Sequence, residues 1–190
     1  MPKRLRAFVA VPIPDAVAIF LQQVQARIQL PVINIRWVAE KNIHLTLKFL
    51  GDIDPSQVSA VAAQMDAAVG TIPPFSLVAK GVGVFPNLRH ARVLWVGLAG
   101  RLDRLTAIQA TLESGLESIG FKREPREFSA HLTIGRIRRR IDAQRIGASL
   151  DPVKDATSDW FRVDRLVLFK SLLKPNGPEY SLLHTSHLAG

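Results

Sequence analysis

Cysteine is absent from the 190 residues. Its absence excludes disulfide staples, thiolate metal sites and a cysteine nucleophile, and it removes any need for an oxidising compartment. Long apolar runs are missing too, since none approaches the ~18 residues of a membrane-spanning helix. The basic start, Met1-Pro2-Lys3-Arg4-Leu5-Arg6, is not followed by the apolar stretch and small-residue cleavage site of a secretory leader. A soluble cytoplasmic protein is therefore the expectation. There is no Gly-rich phosphate loop, no Rossmann fingerprint, no Gly-x-Ser-x-Gly elbow and no His-Glu-x-x-His or His-x-His pair. Negative charge is scarce, with 16 acidic residues against 25 Lys and Arg, for a net charge of +9. Such an excess favours a polyanionic partner through phosphate neutralisation and counterion release.

What the chain does contain is one tripeptide twice. His-Leu-Thr occurs in Ile43-His44-Leu45-Thr46-Leu47-Lys48-Phe49 and again in Ala130-His131-Leu132-Thr133-Ile134-Gly135. Random placement of five His and seven Thr in a chain of this length gives roughly 0.2 His-x-Thr matches. Side chains alternate along a strand, so His44 and Thr46 share one face while Leu45, Leu47 and Phe49 fill the other. His131 and Thr133 repeat the arrangement over Leu132 and Ile134. The same alternation places Lys48 on the His44 face, where it is a candidate substrate contact. Arg136, five residues after His131, falls on the opposite face unless a bulge intervenes.

The two histidines are 87 residues apart in the sequence. The same offset lays Leu5-Arg6-Ala7-Phe8-Val9-Ala10-Val11 on Arg92-Val93-Leu94-Trp95-Val96-Gly97-Leu98. The chain therefore reads as a single domain, residues 1–190, of two lobes built from an internal duplication. Arg4 to Val11, Ile35 to Val38, Ile43 to Leu50, Phe75 to Val84, Val93 to Leu98 and Phe128 to Ile137 read as strands. Helical periodicity covers Asp15 to Gln29, Asp54 to Gly70, Leu102 to Ile119 and a short stretch from Asp142 to Leu150. Phe161 to Ser171 and Glu179 to Leu188 read as a hairpin about Lys174-Pro175-Asn176-Gly177-Pro178. The expected fold class is α+β: two pseudo-symmetric lobes, each an antiparallel-rich sheet with outer helices, around a central cleft. No heptad seam stands out, so a monomer is the default.

Two imidazoles facing one cleft suit phosphodiester chemistry. Hydrolysing a phosphodiester needs a proton taken from water and one given to the leaving oxygen, and histidine titrates near the working pH. Hydroxyls of Thr46 and Thr133 are candidates to stabilise charge on the non-bridging oxygens. Nothing in that chemistry requires a cofactor or a metal. A closed metal site wants three or four protein ligands, and Asp52 and Asp54 lie beyond the first motif. Trp37, Trp95, Phe8 and Phe85 are candidates for stacking on a base, although Phe8 and Trp95 occupy matching repeat positions, which favours core for both. Arg92, with Arg89 and His90, is a candidate substrate contact. His184 and His187 lack the motif context and are read as non-catalytic.

These residues resemble the 2H phosphoesterase superfamily, named for its two His-x-Thr motifs, and within it the RNA 2′,3′-cyclic phosphodiesterases, historically called 2′-5′ RNA ligases. The resemblance rests on Arg6-Ala7-Phe8-Val9-Ala10-Val11-Pro12, Arg36-Trp37-Val38 and Asn42 through Gly51. It continues through Phe85-Pro86-Asn87, Arg92-Val93-Leu94-Trp95, Phe128 through Thr133, and Leu168-Phe169-Lys170-Ser171 with Tyr180, nearly the whole chain. Ile134-Gly135 departs conservatively from the Leu-Ala of the family. The resemblance implies hydrolysis of terminal 2′,3′-cyclic phosphate on RNA to a 2′-phosphomonoester. It implies His44 as proton donor to the leaving oxygen, His131 as the group that activates water, and Arg136 as a phosphate contact. Other readings stay open from sequence: 2′-5′ ligation by the same groups, hydrolysis of small cyclic nucleotides or 2′-5′ oligonucleotides, and a non-catalytic RNA-binding module supported by charge alone.

Overall fold

Alternating apolar residues in antiparallel strands bury one face and leave the other wet, and the chain uses that rule throughout. The computed structural model describes residues 4–30, 34–175 and 177–190. In chain order these form β1 (Leu5–Pro12), α1 (Asp15–Arg27), β2 (Ile35–Trp37), β3 (His44–Ile53), α2 (Val58–Val69), β4 (Phe75–Phe85) and β5 (Val93–Gly100). They continue as α3 (Leu102–Ser118), β6 (His131–Ile137), α4 (Ala143–Leu150), β7 (Thr157–Val163), β8 (Arg165–Lys174) and β9 (Gly177–His187). Among the described residues no helix is long and apolar enough to cross a membrane.

Every strand pairing is antiparallel, and the order is β7-β4-β5-β6-β3-β1-β8-β9, with β2 added beside β6. The expected α+β class is observed, with one difference in how the lobes join. They are halves of one curled sheet, and the pairing between β3 and β6 consists of Leu45 opposite Leu132. Both leucines are fully buried and belong to the continuous core beneath the sheet.

The helices exchange lobes. α1 leaves β1 in one half but packs beneath β6 and β7 of the other. Conversely, α3 leaves β5 and packs against α2 and β3, while α2 also supports β8 and β9. Each half therefore stabilises the other's motif strand.

Two sequence-based strand boundaries are corrected. The stretch Phe161 to Ser171 is two strands, not one: β7 ends at Val163, and β8 begins at Arg165 far across the sheet beside β1. The signal is a slip in phase, because Phe161 and Val163 are buried before Asp164, and Leu166 and Leu168 after it. The first motif strand also runs beyond the expected stop at Gly51-Asp52, to Ile53 opposite Leu5. Gly51 makes this possible with φ of 74°, a left-handed conformation open to glycine. The β8–β9 hairpin is formed as expected, Lys174 pairing Gly177, although Asn176 at its turn lies outside the described residues.

Candidate active site

The antiparallel contact of Leu45 with Leu132 determines where the motifs point. Since both leucines face the core, the residues on either side of each face the other way. His44, Thr46, His131 and Thr133 therefore line one surface of the seam, all of them half-buried. Antiparallel direction sets His44 toward the Thr133 end and His131 toward the Thr46 end.

Each histidine is oriented by the carbonyl two residues before it. His44 Nδ1 donates to Asn42 O at 2.8 Å, and His131 Nδ1 donates to Ser129 O at 2.7 Å. A carbonyl only accepts, so Nδ1 carries a proton in both rings and Nε2 is the working nitrogen. Asn42 is itself fixed, its side-chain Nδ2 donating to Pro178 O at 3.0 Å at the start of β9.

The two imidazoles differ in their surroundings. His44 stacks on Phe8 at 4.6 Å between centroids and meets Tyr180 edge-on at 5.3 Å. Burial in this aromatic wall, with a smaller contribution from the nearby Arg136 charge, pushes the His44 pKa down to about 4, against the opposing hydrogen bond to Asn42. His131 meets Phe85 edge-on at 5.0 Å. The lowered pKa has a consequence for stability. Between pH 6.5 and pH 4 the unfolded chain binds a proton at His44 that the folded chain rejects. Stability therefore falls as pH drops through that window, by about 2 kcal/mol between pH 7 and pH 5. Urea unfolding of wild type and His44→Asn at both pH values measures this. The wild type should lose that much more than the variant, and equal losses would reject the assignment.

Both motif strands carry a bulge at the same place. Thr46 pairs with Ala10 and Lys48 with Val9, so Leu47 is the extra residue. Thr133 pairs with Trp95 and Gly135 with Leu94, so Ile134 is the extra residue. In each case this is the third residue after histidine, and it reverses the facing of the residues that follow, in β3 as far as a second extra residue at Leu50. The Ile134 carbonyl freed by its bulge accepts from Val38 N at 3.0 Å and Gln25 Nε2 at 2.8 Å.

The reversal corrects two sequence expectations, for Lys48 and Phe49, and supplies the bulge that Arg136 required. Lys48 does not face the cleft: it is 6% exposed on the core side and bonds Glu113 Oε2 at 2.7 Å and Lys122 O at 2.6 Å. Phe49, expected in the core, is 61% exposed on the His44 face. Arg136 is returned to the cleft face by the bulge its position required, and its charge acts on both His44 and Tyr180. Gly135 takes the inward position equivalent to Lys48, where a Cβ would lie 3.0 Å from the Trp37 ring.

The aromatics divide between the two faces. Trp37 packs on the core, and Phe8 is buried as expected, 3% exposed, but on the opposite face of the sheet from the main core, whereas Trp95 is only half-buried. Phe8 sits between Phe49 and Phe169 in register on the cleft face. Trp95 lies flat over Gly83, where a Cβ would come within 2.4 Å of the indole. Phe85, a candidate contact, flanks both Trp95 and His131. Arg92 is exposed just before β5.

Tyr180, named from sequence only among the residues that carry the resemblance and given no role there, lines the candidate site beside His44. Burial raises the pKa of its hydroxyl, against the opposing charges of Arg136 and Arg6. A lone tyrosine 136 residues from His44 carries no local signal. Away from the cleft, His184 Nε2 meets Asp66 Oδ1 at 2.9 Å and Ser186 donates to the same oxygen, a helix-to-sheet tie. Among the described residues no group of three or more His, Cys, Asp or Glu is placed to hold a metal ion.

Comparisons with known proteins give the family and the fold. A family profile described as LigT-like phosphoesterase matches residues 11–95 and again residues 96–180. An RNA 2′,3′-cyclic phosphodiesterase of Methanocaldococcus jannaschii is 31% identical over 179 residues, 94% of this chain and 98% of the relative. One from Thermotoga maritima is 31% identical over 189 residues, 98% of this chain and 97% of the relative. In fold, the chain is similar to TT0787 of Thermus thermophilus, with TM-score 0.81, 24% identity and coverage of 98% and 99%. It is also similar to E. coli LigT complexed with 3′-AMP, with TM-score 0.79, 24% identity and coverage of 98% and 99%.

Proposed function

The chain belongs to the LigT-like phosphoesterase family, and on that premise we propose a metal-free, two-histidine route by which it hydrolyses RNA 2′,3′-cyclic phosphate ends. The observation that carries the reading is the pair of imidazoles held by identical carbonyl bonds on one surface, each presenting Nε2. In this reading the phosphorus sits over the seam. His131 Nε2 takes a proton from water as the new P–O bond forms. His44 Nε2 gives a proton to O3′ as the P–O3′ bond breaks, leaving a 2′-phosphomonoester and a free 3′-hydroxyl. Thr46 and Thr133 hydroxyls donate to the non-bridging oxygens, and Arg136 balances their charge. Exposed Phe49, on the His44 face, is suited to stack on the terminal base.

His44 must be protonated to act as donor, yet it is neutral at pH 7 in the free protein. Substrate resolves this. An anionic phosphate beside Arg136 offsets the cation that disfavours imidazolium and itself favours the charged ring. Phosphate binding near pH 6 should accordingly be accompanied by proton uptake, read as a buffer-dependent heat in calorimetry. A buffer-independent heat would count against His44 as the acid.

The same groups serve the reverse, 2′-5′ joining reaction, by microscopic reversibility. All the named groups come from one chain, so a monomer suffices. The deciding experiment is turnover of an oligoribonucleotide ending in 2′,3′-cyclic phosphate, with EDTA present and the products resolved. Release of 2′-phosphate alone is expected. Release of 3′-phosphate, or dependence on added metal, would overturn the route.

A further inference from the structure

The proposed chemistry uses one arginine, but the end of the cleft at which Arg136 lies holds several more. Three backbone segments are tied together there: Arg92 N donates to Phe85 O at 2.7 Å, Ile137 N to Arg92 O at 2.8 Å, and Arg138 N to Asn34 O at 2.7 Å. In the sheet, Arg36 of β2 is directly opposite Arg136, which is opposite Val93 of β5. Opposed residues in an antiparallel pair share a face, so Arg36 stands beside Arg136 on the cleft side. Arg138, Arg139 and Arg140 follow immediately and are all exposed, as are Arg89 and Arg92 on the adjoining turn.

What distinguishes this end is the number of arginines gathered in one place without a carboxylate, whereas Arg101, Arg123, Lys154, Arg165 and Lys174 are each paired with a neighbouring acid at 2.7 to 3.1 Å. Among the described residues none of the arginines at 36, 89, 92, 136, 138, 139 or 140 lies within 4.0 Å of a carboxylate. The carboxylate nearest in sequence, Asp142, is engaged with Gln144 N and Arg145 N at the start of α4. Like charges gathered without counter-charges repel one another, which disfavours the compact state. Such an arrangement is relieved by a chain of anions.

We propose that this end of the cleft is a track for the RNA backbone on the 5′ side of the terminal cyclic phosphate. The enzyme then recognises an oligonucleotide and not just its last nucleoside. The inference rests on the hydrolase reading above. Its geometry follows from the substrate: a 2′,3′-cyclic phosphate is a 3′ end, so the remaining phosphates extend in one direction only. Arg136 holds the reacting group, Arg36 is placed for the next phosphate, and Arg138 to Arg140 follow in line.

The test compares a nucleoside 2′,3′-cyclic monophosphate with a decamer ending in the same cyclic nucleotide, measuring kcat/KM against salt concentration. The decamer should be favoured by about tenfold at low salt. Its log–log salt slope should be steeper by roughly 2, the value for about three neutralised phosphates on a single strand. The variant Arg138→Gln/Arg139→Gln/Arg140→Gln should turn over the mononucleotide within about twofold of wild type and lose most of the decamer's extra slope. Equal wild-type slopes for the two substrates would overturn the track, as would a triple variant that keeps the full decamer advantage. A triple variant impaired equally on both substrates would overturn it as well. Failure of the wild type to turn over either substrate would instead overturn the hydrolase reading.

Discussion

His131→Asn lowers kcat on a cyclic-phosphate RNA end by about three orders of magnitude, within the 10²- to 10⁴-fold range of positioned acid–base groups. Asparagine is the informative replacement because its side-chain amide can still donate to Ser129 O, as His131 Nδ1 does. The shape and the local bond are retained, and only the proton-accepting nitrogen over the seam is lost. His44→Asn should cost about as much for the mirror reason, with Asn42 O as the retained partner. The double variant should be little worse than either single one, since half of a coupled proton relay does little alone. An activated leaving group separates the roles. A nitrophenyl phosphodiester needs no proton on its leaving oxygen, so His44→Asn should recover most of its activity there and His131→Asn should not. Recovery by the His131 variant instead would exchange the two assignments. Wild-type rates for both variants would remove the mechanism altogether.

Glu113→Ala destabilises the fold by about 3–5 kcal/mol, because it leaves the Lys48 ammonium buried without its counter-charge. Lys48 Nζ lies 2.7 Å from Glu113 Oε2, with side chains 6% and 10% exposed. The carboxylate also accepts from Gln109 Nε2 at 3.3 Å and Glu124 N at 3.3 Å, so its removal orphans several donors together. For a chain of this size, the loss corresponds to a thermal midpoint lowered by about 10 °C. Lys48→Met/Glu113→Leu fills the same volume without charge and should recover most of the stability. That outcome would show the penalty to be desolvation of a lone charge. The ion pair also ties β3, the first motif strand, to α3 and to the chain at Lys122–Glu124 that leads into the second motif. A Glu113→Ala variant that unfolds at the wild-type temperature would mean that water reaches Lys48.

Much of the site was legible in the linear chain, for a local reason. Two residues per strand repeat is a property of extended backbone, so His-Leu-Thr in an apolar run declares which side chains share a face before any partner strand is known. The need for a bulge before Arg136 was visible in the same way, as a parity conflict between positions 131 and 136. What parity could not supply was the matching bulge at Leu47. No conflict announced it, because Lys48 and Phe49 are each acceptable on either face until strand register is known. The fold class was legible from alternation and helical periodicity, but the break at Asp164 was obscured by apolar residues on both sides.

The chain alone thus determined which groups the candidate site contains: two imidazoles, two hydroxyls, no thiol, an excess of positive charge, and a strand habit that aims the four motif side chains together. The tertiary structure decided where the extra residues of β3 and β6 fall, and so turned Lys48 inward and Phe49 outward. It also decided that α1 and α3 exchange lobes, that Tyr180 arrives beside His44, and that Arg36 stands next to Arg136. The division follows range. Alternation is set by covalent geometry within a few residues, whereas an extra residue is defined only against a partner strand's register. The partners of Lys48 lie 65 and 74 residues away, where local sequence carries no record of them.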